Sequence, residues 1–280
     1  MTVWRKGSEL TRRLGWLGVV FIGNVAGALV DTATDWDGAL QSVDELLATD
    51  LEPGDRYSLE DSVILPLAAR RELGDDWFAG HERLVQGLAD PQRSAQLEIG
   101  RACIAWCRGD YDAAVRVGLA AAECRSPNVG DLHGLLSAFR GALWLRDLPG
   151  VRSLAERIEG DPSRTPFADA VRSTARGGLA SLEERTADAV AHFQEAIRRW
   201  HETGYDWTAA ETALDFAWAV GPQFPEARQA ADEARAVFER LRANVYLERL
   251  DAVMAGAGSS SLAPIQPGAV AVSSAVPPAG

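Results

Sequence analysis

Hydrophobic positions recur three and four residues apart along most of this chain. Ala39, Val43 and Leu46 fall at i, i+4 and i+7; Ala189, Phe193 and Ala196 repeat the spacing, as do Ala227, Ala231 and Ala234. That period puts one apolar stripe on one face of a helix. Alanine dominates the middle of the chain, and strand-length runs of Val, Ile and Thr are scarce, so composition favours helix as well. The pattern predicts two alternating sets of helices. First helices run near 12–33, 57–72, 93–108, 129–146, 165–182 and 206–220. Second helices run near 37–49, 75–88, 110–123, 148–158, 186–201 and 224–243. Pro66 falls inside a first helix, which predicts a kink or a later start there. Pro149 and Pro225 fall in first turns, where proline is tolerated. Pro53-Gly54, Pro91 and Pro162 mark loops between pairs. A short last helix, Val245 to Met254, brings Leu247, Leu250 and Val253 to cover the open end of the stack.

The second helices open alike: a short turn, an aromatic or apolar residue, then a small residue. Marking each unit by that last residue gives Ala39, Gly80, Ala114, Val151, Ala189 and Ala227, at intervals of 41, 34, 37, 38 and 38. A unit of this length is one helix, a tight turn and a second helix. Trp36, Trp77, Tyr111 and Phe224 stand at the openings as packing wedges.

The turn Gly109-Asp110-Tyr111-Asp112-Ala113-Ala114, with Ala121 seven residues on, resembles a tetratricopeptide repeat. So do Gly27, twelve residues before Ala39, and Gly177, twelve before Ala189. The second and fourth units are degenerate, with Gly80 and Val151 where alanine is usual. The resemblance covers roughly residues 12–254. It implies an all-α, right-handed superhelix of about six antiparallel helix pairs, a TPR-like α-solenoid in which the first-helix glycine packs on the small residue of the second helix. Leu10-Thr11-Arg12-Arg13-Leu14-Gly15 with Gly23-Asn24, and the stretch Ala234 to Arg249, are similar to repeats in the C-terminal helical region of bacterial signalling ATPases and adenylate-cyclase-type regulators. That similarity implies sensing or relay through protein or small-ligand contact. On that similarity the chain is expected to be that region alone, without the upstream catalytic modules.

The chain has 280 residues, enough for one large domain, and 47% of them are hydrophobic. The expected layout is a leader over 1–11, a helical repeat domain over 12–255 and a disordered tail over 256–280. Beyond Gly256 no charge occurs, and Ser, Pro, Ala, Gly and Val dominate. The formal charge of −12 disfavours nucleic acid and anionic membrane as partners, since both need basic patches. Leu14 to Val30 is nearly all apolar, at the short limit for a span, and Ala26-Gly27-Ala28 has the small residues of a cleavage site. Asn24 interrupts the stretch and a repeat begins directly after it. The expectation is therefore a buried first helix, packed antiparallel on helix 37–49, in a cytoplasmic protein. So many apolar residues crowd this helix that a homodimer through Trp16, Phe21 and Val25 is expected.

Motifs for chemistry are sparse. No phosphate-cradling glycine loop occurs, and His81-Glu82 lacks the second histidine of a zinc helix. His81, His133, His192 and His201 are scattered and read as solvent-facing or half-buried. Cys103, Cys107 and Cys124 are too few for a disulfide framework and read as packing residues. The sequence yields no catalytic residue, no cofactor site and no metal site. The expected functional surface is the concave face of one helix set, with Arg101, Trp106, Arg108, Arg140, Trp144 and Arg172 as exposed, groove-binding candidates. The reading is a non-catalytic scaffold for an unidentified protein partner in bacterial signalling or transcriptional regulation. The alternative is a small-ligand sensor, which a closed cavity between helices with convergent polar groups near Arg101 and Arg140 would support. An uncharacterised enzyme would need a clustered His/Asp/Cys set.

Overall fold

The computed structural model describes residues 17–88, 90–124 and 131–256, with the backbone alone for 17–21 and 131. The expected leader, the tail beyond Gly256 and Trp16 lie outside the described residues. Within them the chain is all helix. In order come α1 (Leu17–Asp31), α2 (Trp36–Leu47), α3 (Pro53–Asp61), α4 (Ile64–Arg70), α5 (Asp75–Leu88), α6 (Pro91–Arg108) and α7 (Tyr111–Glu123). Then follow α8 (Asp131–Trp144), α9 (Leu148–Gly160), α10 (Pro166–Leu182), α11 (Thr186–Glu202), α12 (Asp206–Val220), α13 (Pro225–Leu241) and α14 (Asn244–Met254). No strand occurs among the described residues. The helix expected over 57–72 is two helices. The chain leaves helical geometry at Val63, with φ −115° and ψ 0°, and Pro66 falls in the first turn of α4, where its missing N–H costs nothing.

Three of the six recurring turns share one physical cause. Asp35, Asp110 and Asp147 cap α2, α7 and α9, accepting from the backbone N–H of Gly38, Ala113 and Gly150 at 2.9, 2.9 and 3.1 Å. An aspartate there satisfies a helix-start donor and suits the dipole. The residue before the cap stops the preceding helix in the left-handed region: Gly109 at φ 79° and Arg146 at φ 54°. Arg146 therefore does a glycine's work at the expense of strain.

Most successive helices pack on one another, as α1 does on α2 and α13 on α14, whereas α3 packs on α5 and α4 on α6. The markers Ala39, Ala114, Val151, Ala189 and Ala227 are buried. Gly80 is only partly buried, and its neighbour His81 takes the inward position instead. Glycine packing also differs from expectation. A Cβ on Gly177 would meet the Phe193 ring at 2.9 Å, not the small marker Ala189, and one on Gly27 would meet nothing within 4 Å. The tightest crossing lies between α7 and α8. A Cβ on Gly134 would come within 2.5 Å of the Ala122 nitrogen, and one on Gly118 within 2.7 Å of the Ala138 nitrogen.

The two ends of the stack meet. Trp36 of α2 lies 4.6 Å from Trp207 of α12, centroid to centroid. Arg70 is buried, donating to the Leu241 carbonyl at 2.9 Å and to Asp37 at 2.8 Å. Arg240 donates to the Ala33 carbonyl at 2.8 Å, Arg242 pairs with Asp37, and Arg71 pairs with Glu248. The last helix was expected to cover an open end. It instead turns inward, and Arg249 donates to the carbonyls of Trp106 and Cys107 from beneath α6.

Candidate functional site

Residues of α1, α3, α4, α6, α8, α10, α12 and α14 line one cleft of about 420 Å³. Asp31 comes from α1, Asp61 and Ile64 from α3 and α4, and Gln96, Cys103 and Trp106 from α6. His133, Ser137 and Arg140 come from α8, Phe167 from α10, and Tyr205, Trp207 and Glu211 from the start of α12 and its first turns. Tyr246 of α14 closes the floor. Asp31 and His133 are reachable by solvent and mark the open side, while Trp106, Arg140, Trp207 and Tyr246 are buried. A volume of this size suits a small organic molecule.

A charged network fixes the floor. Arg140 donates through Nε to Asp215 Oδ2 at 2.7 Å and pairs through Nη1 with Glu211 Oε1 at 2.7 Å. Trp144 Nε1 donates to Asp215 Oδ1 at 2.7 Å, and the Tyr246 hydroxyl donates to Glu211 at 2.7 Å. Burial pushes the Asp215 carboxyl up, and Arg140 and the Trp144 N–H oppose that rise. Burial also works against the Arg140 charge, but Asp215 and Glu211 outweigh it and hold the guanidinium well above its ordinary pKa. Two guanidinium groups lie over the Trp106 ring, Arg140 at 4.9 Å and Arg249 at 3.9 Å from its centroid.

The upper wall is chemically different. Asp31 and Asp61 make no hydrogen bond or ion pair among the described residues. Burial pushes the Asp31 carboxyl to about 6, helped by the Glu211 charge. Burial likewise pushes the Asp61 carboxyl to about 6, with His81 opposing it. His133 stacks on Phe167 at 4.3 Å, and desolvation lowers its pKa. The indole N–H groups of Trp106 and Trp207 are buried without an acceptor. Each such orphan costs about 1–3 kcal/mol. The Cys103 thiol is raised, chiefly by its hydrogen bond to Cys107 and then by burial. The Ser137 hydroxyl is spent on the His133 carbonyl of its own helix at 3.0 Å.

The six groove candidates separate. Trp106, Arg140, Trp144 and Arg172 were expected exposed and are 4%, 8%, 2% and 6% exposed. For Arg140 and Trp144 the cause is Asp215, a carboxylate inside the apolar run Leu214-Asp215-Phe216-Ala217-Trp218, which draws both inward, and Trp106 packs against Trp144 and Tyr246. Arg172 is held away from the cleft by the carbonyls of Asp161 and Ser163, at 2.8 and 2.6 Å. Arg101 pairs with Glu82 and Glu98, and exposed Arg108 with Asp75. Trp106 and Arg140 are the two of the six that line the cleft. Val25, expected at a dimer interface, is buried within the chain, because α1 is flanked by α2, α3 and α12. Phe21 has no described side chain.

His81 also departs from the expected half-buried state. It is enclosed, with Nδ1 2.9 Å from Glu60 Oε2, between the rings of Tyr57 and Trp77. Among the described residues, no group of three His, Cys, Asp or Glu side chains is placed to hold a metal ion. Nor is any helix there long and apolar enough to cross a membrane. Sequence reasoning missed Asp31, Asp61, Glu211, Tyr205 and Trp207. The one legible signal was Asp215, a charge with apolar neighbours on both sides, which demands a buried partner.

No protein-family model matches the chain, and no curated protein matches it.

Proposed function

We propose that this chain is a non-catalytic, tetratricopeptide-like helical domain that binds a small organic molecule in the cleft, in a sensing or regulatory role within the cytoplasm. The observation that carries the reading is the convergence of all six first helices on one cleft with unmet polar groups. A protein segment seeking the same concave face meets α14 there first, and Tyr246 with it. Leu145 is the large hydrophobic residue left exposed among the described residues, so an apolar docking patch has little to build on. Binding is favoured over catalysis because Arg140 is locked by two carboxylates and Ser137 by its own helix. Kinship with the helical regions of bacterial signalling ATPases, and a right-handed superhelix of about six antiparallel pairs, belong to the same proposal. A homodimer through the first helix now has Trp16 and Phe21 as its candidates, and light scattering of the whole chain measures it.

The test is retention of small molecules. Purified protein is equilibrated with a small-molecule extract, washed and analysed by mass spectrometry beside Ser137→Phe, which fills the cleft. The expected result is at least one compound retained by the natural chain and lost from the variant. Identical retained sets, with both proteins folded, overturn the proposal.

A further inference from the structure

We infer that the ligand of the cleft is an organic cation, an amine or quaternary ammonium compound with an apolar body. This rests on the cleft being a ligand site, and it adds the chemical class.

Charge decides the sign. Asp31, Asp61 and Glu211 line the cleft, and Arg140 is the arginine that faces them. Its guanidinium is already committed, to Glu211 at 2.7 Å and to Asp215 behind the wall at 2.7 Å. His133 is held toward its neutral form by burial. Among the described residues the Asp31 and Asp61 side chains make no hydrogen bond or ion pair, and desolvation raises both carboxyls, with Glu211 adding to the rise at Asp31 and His81 opposing it at Asp61. An anionic ligand would add to this repulsion, whereas a cationic one relieves it.

The rest of the wall is aromatic. Phe167, Tyr205 and Trp207 line the same space, while the Trp106 ring beside them already carries Arg140 and Arg249. Tryptophan and tyrosine faces attract a desolvated ammonium group, which is how quaternary ammonium ligands are held in aromatic cages. The buried, acceptor-less indole N–H groups of Trp106 and Trp207 are a separate sign of an unfilled site, and a ligand oxygen nearby would meet them. A bare metal ion fits poorly, because the carboxylates are not clustered as ligands among the described residues.

The experiment compares probes of one shape and different charge: benzyltrimethylammonium and 2-phenylethylamine against benzyl alcohol and benzoate. Each is titrated into the full chain while tryptophan fluorescence and melting temperature are followed. Both cations are expected to change the fluorescence and raise the melting temperature, and the alcohol and benzoate are not. Asp31→Asn and Asp61→Asn should each weaken the cations at least tenfold. Both variants remove a charge that folding disfavours, so they are expected to fold, and circular dichroism checks it. Equal or tighter binding of benzyl alcohol or benzoate overturns the inference. So does cation binding indifferent to both variants, or no cation response at millimolar concentration. Retention of neutral or anionic compounds from extract, lost in Ser137→Phe, would leave the cleft a ligand site and remove only the cation.

Discussion

Asp61 ends α3 in a wall that gives its carboxyl no ion pair, and its pKa stands near 6 instead of 3.8. The folded chain therefore takes up a proton more readily than the unfolded chain. Between about pH 4 and 6 this group lowers stability as pH rises, and the full cost remains above 6. Asp61→Asn should raise stability by about 1–3 kcal/mol at pH 7.5 and change it little at pH 4, measured by urea denaturation. The groups facing Asp61 are His81 and Tyr57, and those facing Asp31 are Glu211 and Tyr205. An organic cation should accordingly bind more weakly below pH 6, as Asp31 and Asp61 protonate. The opposite sign applies to breaking a pair. Arg140→Met leaves Asp215 and Glu211 without their guanidinium and should cost about 3–5 kcal/mol in denaturation. At this scale the sequence was partly legible. Trp106 and Arg140 stood out by residue type, but Asp31 looked like an ordinary end of an apolar helix. Its role comes from what α12 brings opposite it, and no local pattern carries that.

Helix boundaries follow local chemistry closely, because caps and breakers act within a few residues. Pro149 and Pro225 stand in first turns as expected, Pro53 and Pro91 open α3 and α6 where loops were expected, and the split at Val63 follows the break that Pro66 had signalled. The left-handed stops were not legible where the residue is not glycine. Glu184 ends α10 at φ 60° with its side chain exposed. Glu184→Gly removes that strain and should stabilise the chain by up to about 1 kcal/mol, read as a higher denaturation midpoint. Gly134→Ala should do the reverse. Its methyl would press on the α7 backbone, so the helices must part, and a loss of about 1–3 kcal/mol is expected in the same assay.

Joining the two ends changes how the whole molecule responds. A helical stack with free ends loses structure from its termini inward, since each unit contacts only its neighbours. Here α4 holds α13 through Arg70 and the Leu241 carbonyl, and α6 holds α14 through Arg249. Circular dichroism and tryptophan fluorescence should therefore report a single coincident unfolding transition. Arg70→Ala removes its bonds to Leu241 and Asp37, and should separate the two transitions or lower both midpoints together. Only an unperturbed single transition would contradict the role given to Arg70. The order of the helices and their stripes were legible in the pattern of apolar positions, but this closure was not. Ring formation depends on the small rotation between successive units, which sums over the stack and leaves no signature in any one of them.

Closure also sets a schedule for the chain as it leaves the ribosome. Arg70 meets its Leu241 carbonyl 171 residues later in synthesis. At ordinary translation speeds of about 5–20 residues per second, that is a wait of roughly ten to thirty seconds. During it α5 to α13 are made, and Arg70 remains a cation lacking its acceptor. The N-terminal half must then remain soluble on its acidic surface until the last two helices emerge. A ribosome stalled before Leu241 would hold a nascent chain that is helical yet open, and readily cut by protease at the walls of the cleft.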